Sequence, residues 1–185
     1  DYQVYVAAAD GTNARRIETG QPFNFCPTWS PDGAWLLFVS GEHYDCHPHV
    51  VRPDGRDLRK LADRRGYRGV REMIDIPAFH SESSDVPAWS PDGSRVFYTA
   101  KFGQNVELMS VDLEGNARRL THSAPGVLLH HPQVSPDGEW VLFGGNCGGT
   151  RQIYASRIDG SDIRQVSRPP EGRSAAHGHW RPRPG

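Results

Sequence analysis

Apolar residues along this chain come in short bursts rather than long runs. Trp35-Leu-Leu-Phe-Val, Arg95-Val-Phe-Tyr-Thr and Trp140-Val-Leu-Phe are rich in the aromatic and branched side chains that fit a pleated, half-buried surface, and they predict strands. Each burst follows the same four letters. Ser30-Pro-Asp-Gly, Ser90-Pro-Asp-Gly and Ser135-Pro-Asp-Gly open at intervals of 60 and 45 residues. In such a turn Pro presets its own dihedral, Asp bonds back to the local backbone and Gly accepts a positive φ. A second signature alternates with the first: "VYVAAADGTNARRIE", "HVVRPDGRDLRKLA", "LMSVDLEGNARRLT" and "IYASRIDGSDIRQV" place turn glycines at Gly11, Gly55, Gly115 and Gly160. Both signatures share a period of about 45 residues, broken by one insertion of roughly 15.

Each period then holds four strands: a, the SPDG turn, b, a variable connection, c, the Asp-Gly or Glu-Gly turn, and d. Four antiparallel strands repeating every 45 residues or so predict an all-β protein, a β-propeller of four-stranded blades. The chain begins in mid-blade, with strands c and d within 1–20. Full blades follow at 22–65, 84–121 and 128–168, with an inserted loop at 66–83. The last segment, 174–185, carries "HGHWRPRPG", which aligns with "PTWSPDG" as a degraded a strand. Residues 1–185 read as one domain of three full blades and one split blade. That count either closes a four-bladed ring or leaves part of a larger one. An incomplete ring exposes sheet faces and predicts self-association.

The "WSPDG" turn, the aromatic-aliphatic b strand, "DG" and an "RRLT"-like d strand resemble the TolB-type propeller repeat over nearly the whole chain. The resemblance implies a ring of six blades, hence an incomplete ring here. It also implies a periplasmic or exported protein that engages other envelope proteins. It does not fix an activity, because propellers host unrelated functions.

Composition narrows the function classes. With a formal net charge of -1 there is no global pull toward nucleic acid or an anionic membrane. No apolar run is long enough to span a bilayer as a helix. The chain starts at Asp1, so the lack of a leader says nothing of its compartment. The arginines concentrate in the d strands and their flanks, as in Arg15-Arg16 and Arg118-Arg119, where a solvated outer edge is expected. Trp29 and Trp89, at matching positions, are expected in the core between blades. No Gly-x-Ser-x-Gly elbow and no Gly-Lys-Ser/Thr phosphate loop is present. The disulfide state of Cys26, Cys46 and Cys147 stays open.

Candidate chemistry lies opposite the turns. The two tight turns of each blade share one face, and the b-to-c and d-to-a connections share the other. All nine histidines map there: His43, His47 and His49 in or beside a b-to-c connection, His80 in the insertion, His122, His130 and His131 in a d-to-a connection, His177 and His179 at the end. Strand a lines the channel, and the residue before its first Pro-equivalent position is Cys26, Val86, His131 and His177 in successive blades. His131 and His177 are therefore expected around one opening, with His80, Glu82, His130 and His179 near them. Imidazole and carboxylate suit a divalent Mn, Zn, Fe or Ni, and imidazole also titrates near neutrality.

Two readings follow. The first is a non-catalytic TolB-like binding module that takes a protein or a small ligand through the histidine-rich face, without nucleic acid and without a required cofactor. The second is a metal-dependent polysaccharide lyase, because the repeats are also similar to those of oligogalacturonate lyases. That resemblance implies His131, His177 and His179 as metal ligands and His80 or Arg71 as the base.

Overall fold

The computed structural model describes residues 2–42, 45–67, 86–175 and 178–181. Among them no helix forms, and none could cross a membrane. Fourteen strands of the described residues make four antiparallel sheets. The first is a pair, β1 (Tyr5–Val6) and β2 (Arg15–Arg16). The second holds β3 (Phe23–Trp29), β4 (Leu36–Glu42), β5 (Asp45–Val51) and β6 (Arg59–Lys60) in chain order. The third holds β7 (Ala88–Trp89), β8 (Arg95–Phe102), β9 (Asn105–Asp112) and β10 (Ala117–Arg119). The fourth holds β11 (Leu129–Val134), β12 (Trp140–Gly148), β13 (Thr150–Arg157) and β14 (Arg164–Gln165). The all-β, propeller-type architecture read from the repeat is the observed one.

The turn chemistry explains the repetition. Ser30 Oγ donates to Asp32 Oδ1 at 2.5 Å and accepts the Trp35 N–H at 2.9 Å, while Asp32 Oδ1 takes the Ala34 N–H at 3.0 Å. Gly33 closes the turn at φ 69°. Ser90 with Asp92, and Ser135 with Asp137, repeat the pattern. Hydrogen bonds from Ser30 and Ser90 hold the Asp32 and Asp92 carboxyls below the usual carboxylate range. Each of the three four-stranded sheets thus carries the same rigid corner.

Both faces of the b strands are buried, so alternation sorts apolar residues between neighbouring sheets rather than between core and water. Leu36 and Phe38 pack on Val4 and Ile17, which flank the strands of the first sheet. Trp35 and Leu37 point the other way, onto Val96, Tyr98 and Ala100 of the third sheet. Phe97 in turn meets Leu129, Val141 and Phe143 of the fourth. Burial of each such side chain contributes about 1.5–3 kcal/mol, and these inter-sheet layers hold the blades in sequence.

Two expectations need correction. The 41–50 stretch, read as a long b-to-c connection, is mostly strand: β4 and β5 pair from Leu36–Val51 to Glu42–Asp45, and His47 and His49 lie inside β5. Trp29, read as core, is 48% exposed, whereas Trp89 packs against the Trp35 layer. The difference follows from what each indole faces. Trp89 is backed by the complete second sheet, while among the described residues the first sheet offers only its c and d strands.

Candidate functional site

Strand a is broken by a bulge at the same place in two sheets. The β3–β4 register shifts between Phe25 and Thr28, and the β11–β12 register between His130 and Gln133. Inside these breaks Cys26 and His131 both take a left-handed backbone, with φ 52°, and each precedes a proline, Pro27 and Pro132. A left-handed non-glycine residue costs of order 1 kcal/mol or more, and a following proline also disfavours the right-handed alternative. The same strain at two equivalent positions is a feature of the scaffold, and such bulges re-aim a side chain. Val86, before Pro87 in the sheet between, is not left-handed, as expected for a β-branched residue.

His131 consequently faces a cleft of about 550 Å³ along the a-strand wall. Thr28 and Trp29 from the second sheet, Val86 to Trp89 from the third, and His131 to Gln133 from the fourth line it, together with His179 from the terminal segment. No Asp, Glu, Lys or Arg is among these lining residues. The terminal segment is seated by two bonds: Gln133 Nε2 lies 3.0 Å from His179 Nδ1, and the Trp180 indole N–H donates to the Gln133 carbonyl at 3.0 Å. Gly178 lies so close to the fourth sheet that a Cβ there would stand 2.6 Å from Leu142 Cδ2.

Behind His131 sits His130, only 4% exposed. The two Nδ1 atoms are 3.0 Å apart, with the rings edge to face at 88°. One Nδ1 must therefore carry the proton and the other accept it. The His130 ring occupies the space above Gly144, where a Cβ would fall 2.2 Å from its Cε1. That glycine is needed for close approach.

Of the residues singled out from sequence, His130, His131 and His179 come together here. His80, Glu82, His177 and Arg71 lie outside the described residues. Among the described residues no group of three His, Cys, Asp or Glu is placed to hold a metal. His131 and His179 each have Nδ1 engaged, so each would ligate through Nε2, and two imidazoles do not complete a site. The described residues alone do not fit the metal. Gln133 and the exposed Trp29 were not anticipated as parts of the site. Their signal lay in the repeat, where Thr28, Ala88 and Gln133 occupy one position.

His47 and His49 belong to the scaffold. Gln3, His47, Glu107 and Gln152 each stand eight residues before a turn glycine and do the same work with different chemistry. Each accepts a hydrogen bond: Gln3 Oε1 from Asn24 at 3.5 Å, His47 Nδ1 from the Arg64 N–H at 3.2 Å, Glu107 Oε1 from the Ser123 N–H at 2.9 Å, Gln152 Oε1 from Ser167 Oγ at 2.7 Å. The last three tie strand c to the segment leaving strand d. Burial lowers the pKa of both His47 and His49.

Comparison with known proteins agrees with this architecture. The TolB beta propeller domain model matches residues 1–184. The Tol-Pal system protein TolB of Bordetella pertussis is 32% identical over 164 residues, covering 87% of this chain and 33% of that protein. The crystal structure of TolB from Acinetobacter baumannii superposes with a TM-score of 0.66 at 22% identity, over 90% of this chain and 37% of that one. Oligogalacturonate lyase in complex with manganese gives 0.64 at 18% identity, over 94% and 44%, a likeness of fold alone. The chain thus spans between a third and a half of the proteins compared here. On the match over residues 1–184, it belongs to the TolB beta propeller domain family.

Proposed function

We propose that this domain is a non-catalytic binding module that takes a protein segment or a small ligand into the a-strand cleft. The observation that carries the reading is the paired bulge, which spends backbone strain to turn His131 into a cleft with Trp29, Gln133 and His179. Trp29 offers an exposed indole face, and Gln133, His179 and His131 offer directional polar groups beside it. By resemblance to TolB-type propellers, the partner is an envelope protein and the location periplasmic or exported.

The test compares the purified chain with a Trp29→Ala, His131→Ala variant in capture from envelope extract, alongside elemental analysis of the chain and of a His131→Ala, His177→Ala variant. A ligand held by the parent in chelator and lost by the first variant supports the module. Stoichiometric Mn, Zn, Fe or Ni that disappears in the second variant overturns it in favour of the metal-dependent lyase. Equal capture by parent and variant moves the binding surface away from the cleft.

A further inference from the structure

Outside the a-strand cleft, beside the SPDG turns, one sheet departs from the repeat. In the second sheet two guanidinium groups lie over the buried indole of Trp35, Arg52 at 3.8 Å and Arg59 at 4.7 Å from the ring. In the fourth sheet Arg157 and Arg164 lie over Trp140 in the same way, each at 4.2 Å. Both indoles stand two residues after the SPDG glycine. The third sheet keeps the backbone and changes the residues. Arg95 stands where the tryptophans stand, and it pairs with Asp112 as Trp140 pairs with Arg157. Arg118, paired with Ser110, keeps the register of Arg59, paired with Val50, and of Arg164, paired with Ala155.

The consequence is a vacancy. Arg95 does not fill the indole's place: its Nη2 leans to Ser110 Oγ at 3.3 Å and to the Asn116 carbonyl at 3.5 Å. Between the third and fourth sheets this leaves a notch of about 480 Å³, floored by Leu120 and Ile158. Arg59 is anchored by donating to the Leu113 carbonyl at 2.8 Å. The Arg118 side chain is exposed and makes no hydrogen bond or ring contact with the described residues, while its charge helps to hold the Asp159 carboxyl low. Asp92, Asp137 and Asp159 rim the notch. Hydrogen bonds from Ser90 and from Ser161 hold the carboxyls of Asp92 and Asp159 below the usual range.

We propose that this notch is a docking site for an aromatic side chain of a partner protein, one flanked by a basic residue. The ring would lie on the guanidinium of Arg118, as Trp35 lies on Arg59 and Trp140 on Arg164, with its edge on Leu120 and Ile158. The neighbouring Lys or Arg meets the carboxylates of the rim. The occupant's shape comes from the chain's own precedent, and its charge from the rim. The site is separate from the a-strand cleft and does not rest on it.

The test is an NMR titration of the isotope-labelled chain with the tripeptide acetyl-Lys-Trp-Lys-amide. Shifts are expected at Arg95, Arg118, Leu120 and Gly138, and they should vanish in Arg95→Trp, which fills the vacancy from within. Arg118→Gln, an exposed change that leaves the sheets intact, should weaken binding about two- to fivefold, the range of an exposed cation-ring contact. Equal shifts from acetyl-Lys-Ala-Lys-amide, no shifts at millimolar peptide, or unchanged binding in Arg95→Trp would each overturn the proposal. Shifts at the same residues from adenosine monophosphate but not from the tripeptide would overturn the protein-partner assignment in favour of a free planar base.

Discussion

Acid should open the junction between the second and third sheets, and His47 should be the reason. Its ring is buried, with Nδ1 accepting the Arg64 N–H at 3.2 Å. The proton of the neutral ring therefore sits on Nε2, which lies 3.6 Å from Asp45 Oδ1 and 4.0 Å from Asp63 Oδ2. A second proton could only go to Nδ1, where it would face the Arg64 N–H donor to donor. Arg64 is itself a clasp: fully buried, it donates to the Thr99 carbonyl at 3.0 Å and to Thr99 Oγ1 at 2.9 Å, and lies 4.7 Å from the Tyr67 ring. Burial lowers the His47 pKa most, and the nearby Lys60 lowers it further. The two carboxylates oppose this but are more than half exposed, so solvent screens them.

Because the folded pKa lies below the unfolded one, the neutral clasp contributes its full stability above the unfolded value near 6.5. That contribution is lost as pH falls below this value toward the folded pKa. The ceiling is about 1.4 kcal/mol, or tenfold in the opening equilibrium, per pH unit. Hydrogen exchange of the backbone over 61–67, corrected for intrinsic rates, should thus accelerate up to about fivefold between pH 6.5 and 5.5, because the exposed ring is already half protonated at the upper pH. His47→Gln supplies the acceptor that Gln152 already uses at this position, and should remove the His47 share of the pH dependence while keeping protection. His47→Ala should lose about 1–3 kcal/mol of local protection at every pH, the cost of a buried donor left unmet. His49, whose pKa burial also lowers, is retained in the Gln variant and subtracts out. Protection that ignores pH in the parent, or an acid response in His47→Gln as large as the parent's, would refute the reasoning.

Three further outcomes are expected. Glu107 is fully buried; burial raises its pKa, but hydrogen bonds from Thr121, Ser123, Arg119 and Asn105 outweigh this and leave it lowered. Glu107→Ala should cost about 3 kcal/mol in urea unfolding. The parent's stability should decline as pH falls below about 4.5, the unfolded value, toward the folded pKa, and Glu107→Gln should flatten that slope. Gly144→Ala should cost about 1–3 kcal/mol in thermal unfolding and shift the NMR resonances of both His130 and His131, since a Cβ would stand 2.2 Å from the His130 ring. In a thiol-reagent assay at mildly alkaline pH, Cys26 and Cys147 should react in the native protein. Cys46, buried with its thiol pushed up to about 11, should react only on unfolding.

The scaffold was legible because its determinants are local. Ser30, Asp32 and Gly33 bond within five residues of one another, so the turn can be read without knowing what it packs against. The strands beside it follow from the same few letters. Misreadings arose where the decisive contact was distant. "GEHYDCHPHV" looks like a loop because Gly, His and Pro break the apolar pattern. Yet β5 needs only its partners to hold it: Pro48, which has no N–H to give, takes the Leu61 N–H on its carbonyl at 2.8 Å. Trp29 and Trp89 look alike in sequence and differ only in the sheet behind them. The bulge at His131 left a trace in the shared residue-proline step. The seat of His179 on Gln133, 46 residues earlier, left none.

A repeat protein carries its own control, because a residue that differs from its counterparts does so on a common backbone. Difference alone is not a sign of function. Gln3, His47, Glu107 and Gln152 differ in charge and shape, yet each accepts a hydrogen bond, so the position tolerates anything that can. Arg95 is another matter. It replaces a tryptophan and does not do the tryptophan's work, since the notch stays open and Arg118 has no ring over it among the described residues. His131 is a third case, because the left-handed backbone it shares with Cys26 costs free energy that Val86 avoids in the sheet between. The informative departures are those that leave a space unfilled or a strain unrelieved, and in this chain they fall at the cleft and at the notch.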